Sequence, residues 1–216
     1  MTACISLFKL GRGIAILSLL ALSAGCAEKG PILIEGIAYK APEGVTAGKG
    51  STVIAVSPFR DVRQTKSSVI GQRQIREYIA NDLVVQGTAA DIVSGAVHEA
   101  LTVRGIQSKH STDWDLAETS ISAEGADILV GGEIKTLWIE VHSQPVNVKY
   151  KAVVQLRVSA ADAKDKKILR TLNLSSSLER EDVVYSDYTV QEILAAALSS
   201  AIDQLLNDEE FKKNIH

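Results

Sequence analysis

The stretch that most constrains folding lies between Val146 and Val158. Val146, Val148, Tyr150, Ala152, Val154, Leu156 and Val158 alternate with mostly polar neighbours. A period of two places all the apolar side chains on one side of an extended strand, because successive Cβ atoms point to opposite faces. Such a strand has one buried and one wet face, so it belongs to a sheet covered on one side only. The rest of the chain must supply strands beside it and a layer above it.

The flanking segments provide the strands. Ser143-Gln144-Pro145 reads as the turn before it, and Ile128 to Val141 as a long extended partner. Alternation slips near Lys135-Thr136, where a β-bulge is expected. Asp162 to Lys167 is a polar hairpin loop, and Ile168 to Leu178 returns with Leu172, Leu174 and Leu178 on one side. These three segments predict an antiparallel meander. Further upstream, Val53 to Phe59 is a β-branched run closed by Pro58, and Ile106 to His110 is a short strand.

Two helical patterns supply the layer. From Thr88 to Gly105, Thr88 and Asp91 form a capping box, and Ile92, Val93, Ala96, Val97, Ala100 and Leu101 recur at helical spacing. Gly105 is placed to end that helix. Near the carboxyl end, Thr189 and Glu192 suggest a second capping box ahead of Ile193, Leu194, Ala197, Leu198, Ala201, Ile202 and Leu205. Thr112 to Ala117 reads as a single helical turn. The expected class is α+β: an antiparallel-rich mixed sheet with two main helices packed on one face, in the order β-α-β-β-β-β-α.

The amino-terminal segment carries an address. Lys9 and Arg12 precede the apolar run Gly13 to Leu22. That run is too short to span a bilayer, which takes roughly 20 apolar residues, but it suits a secretory signal. Leu22-Ser23-Ala24-Gly25-Cys26 reads as a bacterial lipobox, although Leu22 sits four places before the cysteine and Ser23 three. Small residues at 24 and 25 let an extended backbone enter a peptidase, and the Cys26 thiolate is the nucleophile for lipid transfer. The expected division is a signal peptide over 1–25, a lipidated Cys26 and flexible tether over 26–51, and one periplasm-facing α+β domain over 52–216.

The tether is rich in Gly and Pro, while Ile32 to Tyr39 within it is apolar enough to lie as a strap on the domain. Each buried methylene of an acyl chain is worth about 0.8 kcal/mol and one chain holds only marginally, so the two or three chains of a bacterial lipoprotein make attachment durable. Ala27 after the cysteine, in place of Asp, resembles outer-membrane sorting. That resemblance implies the inner leaflet of the outer membrane. The only cysteines are Cys4 and Cys26, so the mature body would carry no thiol, in keeping with an oxidising compartment.

Composition and motifs exclude several functions. A net charge of −3 offers no broad basic field for nucleic acid. His98-Glu99 begins a zinc-helix pattern, but position 102 is Thr, so the second ligand is missing. Gly48-Lys49-Gly50-Ser51 lacks the hydroxyl residue directly after the lysine that a phosphate loop needs. No nucleophile elbow, dinucleotide fingerprint or Cys-x-x-Cys pair occurs. A non-enzymatic role without a cofactor is therefore expected. The candidate partner-binding residues are Arg60, Asp61, Arg63 and Trp114. Asp61 and Arg63 share one side of an extended strand end, where they either pin the loop as an ion pair or recognise a partner. Trp114, like Trp138, is either an interface anchor, since Trp is enriched at binding hot spots, or a partly buried side chain, which is the commoner case.

Together with the lipobox, Val56-Ser57-Pro58-Phe59 leading into Asp61-x-Arg63, Ile70-Gly71, Leu101 to Ile106 and the final helix running to Phe211 resemble the YajG family of bacterial lipoproteins. The chain departs from that pattern in a polar insertion around Thr112 to Thr119. The resemblance implies a lipid-anchored envelope lipoprotein with a protein partner in the envelope and no known enzymatic role. An accessory part in envelope transport or outer-membrane maintenance is expected. The alternatives are a lipoprotein activator of cell-wall synthesis and a carrier of lipid or another small molecule.

Overall fold

The computed structural model describes residues 30–45, 51–122 and 125–215. The signal segment, Cys26 and part of the expected tether lie outside the described residues. The strands are β1 (Ile32–Leu33), β2 (Val53–Val56), β3 (Arg60–Asp61), β4 (Val69–Ile75), β5 (Tyr78–Val84), β6 (Gln107–His110), β7 (Ile128–Ser143), β8 (Val148–Asp162) and β9 (Lys167–Asp182). The helices are α1 (Ala89–Val103), α2 (Asp187–Asn207) and α3 (Glu209–Ile215), with a 3-10 turn at Glu118–Ser120.

Strand β7 is the spine. One of its edges pairs antiparallel with β8 along nearly the whole length, from Ile128 opposite Asp162 to Ser143 opposite Val148. The other edge takes three short strands in succession, all parallel: β2 at Ile128 to Val130, β3 at Glu133–Ile134, and β4 at Ile139 to Ser143. The register of β7 against β8 shifts between Ile134 and Thr136, where the sequence pattern slips. Strand β9 closes one side of the sheet, and β5 with β1 and β6 extend the other. In β8, alternate residues from Val148 to Ala160 are buried beneath the helices, and Lys149, Lys151, Gln155 and Arg157 face water. Val146 breaks the pattern: it sits in the turn before β8 and is 79% exposed.

The expected class needs correction. The sheet is mixed and curled into a half-barrel, and three helices form instead of two. Five strands precede α1, so the order β-α-β-β-β-β-α is wrong. The missed elements are mainly β4 and β5. They read as Val-Ile-Gly-Gln-Arg-Gln-Ile and Tyr-Ile-Ala-Asn-Asp-Leu-Val, and only Val69, Ile70, Gly71 and Leu83 are buried. A half-wet hairpin carries little period, and the partner that orders it, β7, lies more than fifty residues away. Gly71 is required there, because a Cβ at that position would stand 2.1 Å from the backbone oxygen of Ile139.

Helix α1 has the expected capping box between Thr88 and Asp91, and Gly105 follows at φ 74° with its amide on the Thr102 carbonyl. Helix α2 starts differently. Its N-cap is Ser186, Thr189 donates its hydroxyl to Asp182, and Glu192 accepts from Tyr188 and Arg180, so no box forms between Thr189 and Glu192. Helix α3 is a separate element because Asp208 adopts extended backbone and accepts the Phe211 amide at 2.9 Å. Thr112 to Ala117 forms no helical turn. The segment lies across the sheet face opposite the helices, and Trp114 and Ile121 make a small second core there with Ala55, Leu129 and Ala161.

Candidate functional site

Strand β3 holds two of the four sequence-derived candidates, Arg60 and Asp61, at the edge of β7, and Arg63 follows in the bend beyond it. The guanidinium of Arg63 makes a two-point bond to the Asp61 carboxylate, Nε to Oδ1 and Nη2 to Oδ2, both at 2.8 Å. It also donates to the carbonyls of Val69, Leu137 and Ser67 at 2.9, 3.0 and 3.2 Å. A guanidinium has five N–H donors, and these five bonds engage them. The pair ties the loop before β4 onto β7. Bonds from Arg63 hold the Asp61 carboxyl below its ordinary value of 3.8. Arg60 stands exposed and reaches the Asp115 carbonyl at 3.4 Å, next to Trp114.

Trp114 is 2% exposed, and its indole N–H donates to the Ala117 carbonyl at 2.9 Å. Its amide donates to the Ser57 hydroxyl, which donates in turn to the Thr112 carbonyl. These bonds fasten the 112–121 loop to the end of β2. The structure thus places Arg60 and Asp61 on one short strand with Arg63 folded back onto Asp61 from the bend after it, and turns Trp114 inward, away from any surface a partner could reach.

The strap is fastened to the body at more points than either of these, and the sequence showed it only as a run of apolar residues. Residues 30–40 lie on the body. Strand β1 runs parallel to β5, Asn81 Nδ2 donates to the Gly30 carbonyl at 2.8 Å, and Ile34 is buried. Gln191 Nε2 donates to the carbonyl of Gly36, a residue at φ 72°. The strap then crosses both main helices. The Tyr39 hydroxyl donates to Asp203 at 2.6 Å and accepts from Arg104, which also bonds Asp203 at 2.7 Å. The Tyr39 amide donates to Glu99, and the Lys40 amide to Ser199. Burial and the Asp203 carboxylate push the Tyr39 phenol up, so it stays a neutral donor. Between residues 34–38, Val85 and Ile92 the strap leaves a groove of about 340 Å³.

Two further features sit apart from the strap. His98 and His110 stack with ring centroids 4.8 Å apart, and the Ser108 hydroxyl lies 2.9 Å from His98 Nδ1. Burial, then the neighbouring His110, lowers the His98 pKa and favours a neutral ring. Across β7, β8 and β9, a groove of about 440 Å³ is lined by acids and bases that include Glu140, Lys149 and Glu179. Among the described residues no group of His, Cys, Asp and Glu is arranged to hold a metal, and no helix is long and apolar enough to cross a membrane.

No protein-family model matches the chain, and no curated protein does. Solved structures do share its fold. Protein XCC0632 from Xanthomonas campestris is similar over 82% of this chain and 91% of its own, with 12% identity and a TM-score of 0.50. Looser likenesses include hypothetical protein CT253 from Chlamydia trachomatis (15% identity, 76% and 96% covered, TM-score 0.40). Lipoprotein GNA1162 from Neisseria meningitidis matches at 13% identity, 73% and 99% covered, with a TM-score of 0.32. At such identities the likeness is one of fold. The chain is thus a small globular domain built on a fold found in bacterial proteins.

Proposed function

We propose that this protein is a lipid-anchored envelope lipoprotein, held through Cys26 in the inner leaflet of the outer membrane. Its body is a non-enzymatic binding or accessory module facing the periplasm, serving envelope transport or outer-membrane maintenance. The resemblance to the YajG family and the signal and lipobox pattern of residues 9–26 support the reading. The observation that carries it is the strap. Residues 30–40 are fastened across β5, α1 and α2, so an anchor on Cys26 would hold the folded body directly, four residues from Gly30. A carrier with a groove between sheet and helices is less favoured, since Leu137, Ile139, Leu198 and Ile202 fill that space and are fully buried.

The test compares the natural chain with Cys26→Ser in bacterial cells. Mass spectrometry of the mature amino terminus is expected to find a diacylglyceryl cysteine on Cys26, and the variant is expected to leave the membrane fraction. An unmodified Cys26, or unchanged partition of the variant, would refute the anchor. Crosslinking in cells then identifies the partner. Recovery of cell-wall synthases alone would replace the transport role with the activator role.

A further inference from the structure

Six large hydrophobic side chains among the described residues are more than half exposed, and they gather at one end of the sheet. They are Tyr78 at 77%, Ile79 at 59%, Val146 at 79%, Val183 at 79%, Val184 at 69% and Tyr188 at 63%. The strand registers establish their proximity. Ile75 pairs with Tyr78 across the β4–β5 turn and with Ser143 of β7; Ser143 pairs with Val148, and Val148 with Asp182. The β4–β5 turn, the β7–β8 turn and the β9–α2 loop therefore stand side by side, with Tyr188 in the first turn of α2 beside them. A gathering of exposed apolar side chains at one end is the kind of surface that interaction sites use.

The exposure is built into the fold. The Tyr150 hydroxyl donates to the Val184 carbonyl at 3.3 Å and accepts the Ser186 amide at 3.0 Å. Arg73 stacks its guanidinium 3.8 Å from the centre of the Tyr185 ring. In the neighbouring turn the Gln144 amide bonds the Asn147 carbonyl at 2.8 Å, and Asn147 donates to Glu181. The loop backbones are held from inside while the valines face outward.

Where the chain leaves the body decides what covers this end. Because β1 is parallel to β5, its amino end points the same way as Tyr78, and Gly30 lies level with Asn81. Three residues of β5 separate Asn81 from Tyr78, a rise of about 10 Å. Four residues separate Gly30 from Cys26, a reach of at most about 14 Å. The lipid-bearing residue can reach the level of the apolar turns and scarcely beyond it, so the anchor keeps this end against the bilayer. Arg76, Lys149 and Arg180 are interspersed there with Glu77, Glu181, Asp182 and Asp187, so no single sign of charge dominates.

We infer that the end formed by the three turns docks on the lipid surface that carries the anchor, with Val146, Val183 and Val184 entering the headgroup layer. This rests on the lipoprotein reading. Docking fixes the body's orientation and turns the opposite end of the sheet toward the periplasm.

The test uses the full lipidated protein in vesicles of phosphatidylethanolamine and phosphatidylglycerol. The mature body has no other thiol, so Val146→Cys, Val183→Cys and, at the far hairpin, Lys164→Cys can each carry an environment-sensitive fluorophore. Labels at 146 and 183 are expected to shift to the blue on reconstitution and to be quenched by iodide about threefold less than the label at 164, in low and high salt alike. Equal quenching at all three positions overturns the proposal. So does a blue shift in vesicle-free solution that grows with protein concentration, which would put a second copy on this end. The mass of the mature amino terminus is read on the same sample. A missing lipid refutes the anchor, whereas lipid present with wet labels refutes the docking alone.

Discussion

The two ends of the sheet are finished in opposite ways. At the end near Ile128 and Asp162, carboxylates close the turns. Asp162 accepts the amides of Lys164 and Asp165, Asp127 that of Val53, Asp115 that of Ala117 and Glu118 that of Ile168. At the end near Ser143 and Val148, Tyr150 and Arg73 brace the loops from within, and exposed valine, isoleucine and tyrosine side chains stand among the charged ones. Loop amides find partners at both ends, so satisfying the backbone does not require the apolar choice. The polar end is built to face water. Val146 and Val183, each 79% exposed, add little to folding, and that is the difference the docking proposal draws on.

The largest expected effect tests the platform under the apolar end. Gly71→Ala would press a methyl into the Ile139 carbonyl and prise β4, with Ile75, away from β7. Urea denaturation should show a loss on the order of 3 kcal/mol. Unchanged stability would mean that β4 does not hold this end. Next comes Asp203→Asn, which leaves the half-buried Arg104 guanidinium without its carboxylate. A loss of about 1–3 kcal/mol is expected, with faster hydrogen exchange at Ile34 and Tyr39. The β1–β5 pairing and the Asn81–Gly30 bond still hold the strap's amino end, so the vesicle-dependent shift at Val146 should persist.

Acid should act elsewhere, on Asp61 and on His98. His98 has a lowered folded pKa, so its contribution is full above 6.5 and is lost as pH falls from there through the folded value. Asp61 is also lowered, so its contribution holds above 3.8 and is lost as pH falls through its still lower folded value. Thermal melts across pH should therefore decline in two stages, and His98→Gln should remove the upper one. The smallest effect belongs to the tips. Val146→Ser and Val183→Ser should each change stability by no more than about 0.5 kcal/mol, because neither side chain is buried. A loss of 2 kcal/mol or more in a urea melt would show that the valines serve the fold and would dissolve the contrast between the ends.

The candidate residues show how far spacing alone can go. Asp61 and Arg63, two apart, do meet, but through a bend after β3 in which the Arg63 amide also donates to the Asp61 carboxylate, and not along an extended strand end. That Arg63 also bonds Leu137 was not legible, since that contact spans 74 residues. Trp114 could be read as partly buried from its residue type, but what covers it was not legible: it lies in a polar segment and is buried because the 112–121 loop folds over β2 and β7. A signal for α3 was present in Asp208, whose carboxylate caps Phe211, but the sequence reads as a single final helix running through it to Phe211.

By itself the sequence determined what depends on near neighbours. The alternation of β8, the slip in β7, the polar hairpin at Asp162 to Lys167 and the capping box of α1 are all contacts within a few residues or a strict period. Tertiary structure decided which strands share an edge of β7, that a polar hairpin becomes β4 and β5, and that the strap locks across α1 and α2. It also decided that Val146, which continues the apolar alternation, stands in water at the sheet's end. The reason is geometric. A period assigns a side chain to a face of its own strand, but only the register of distant strands sets where that strand stops and what lies beyond it.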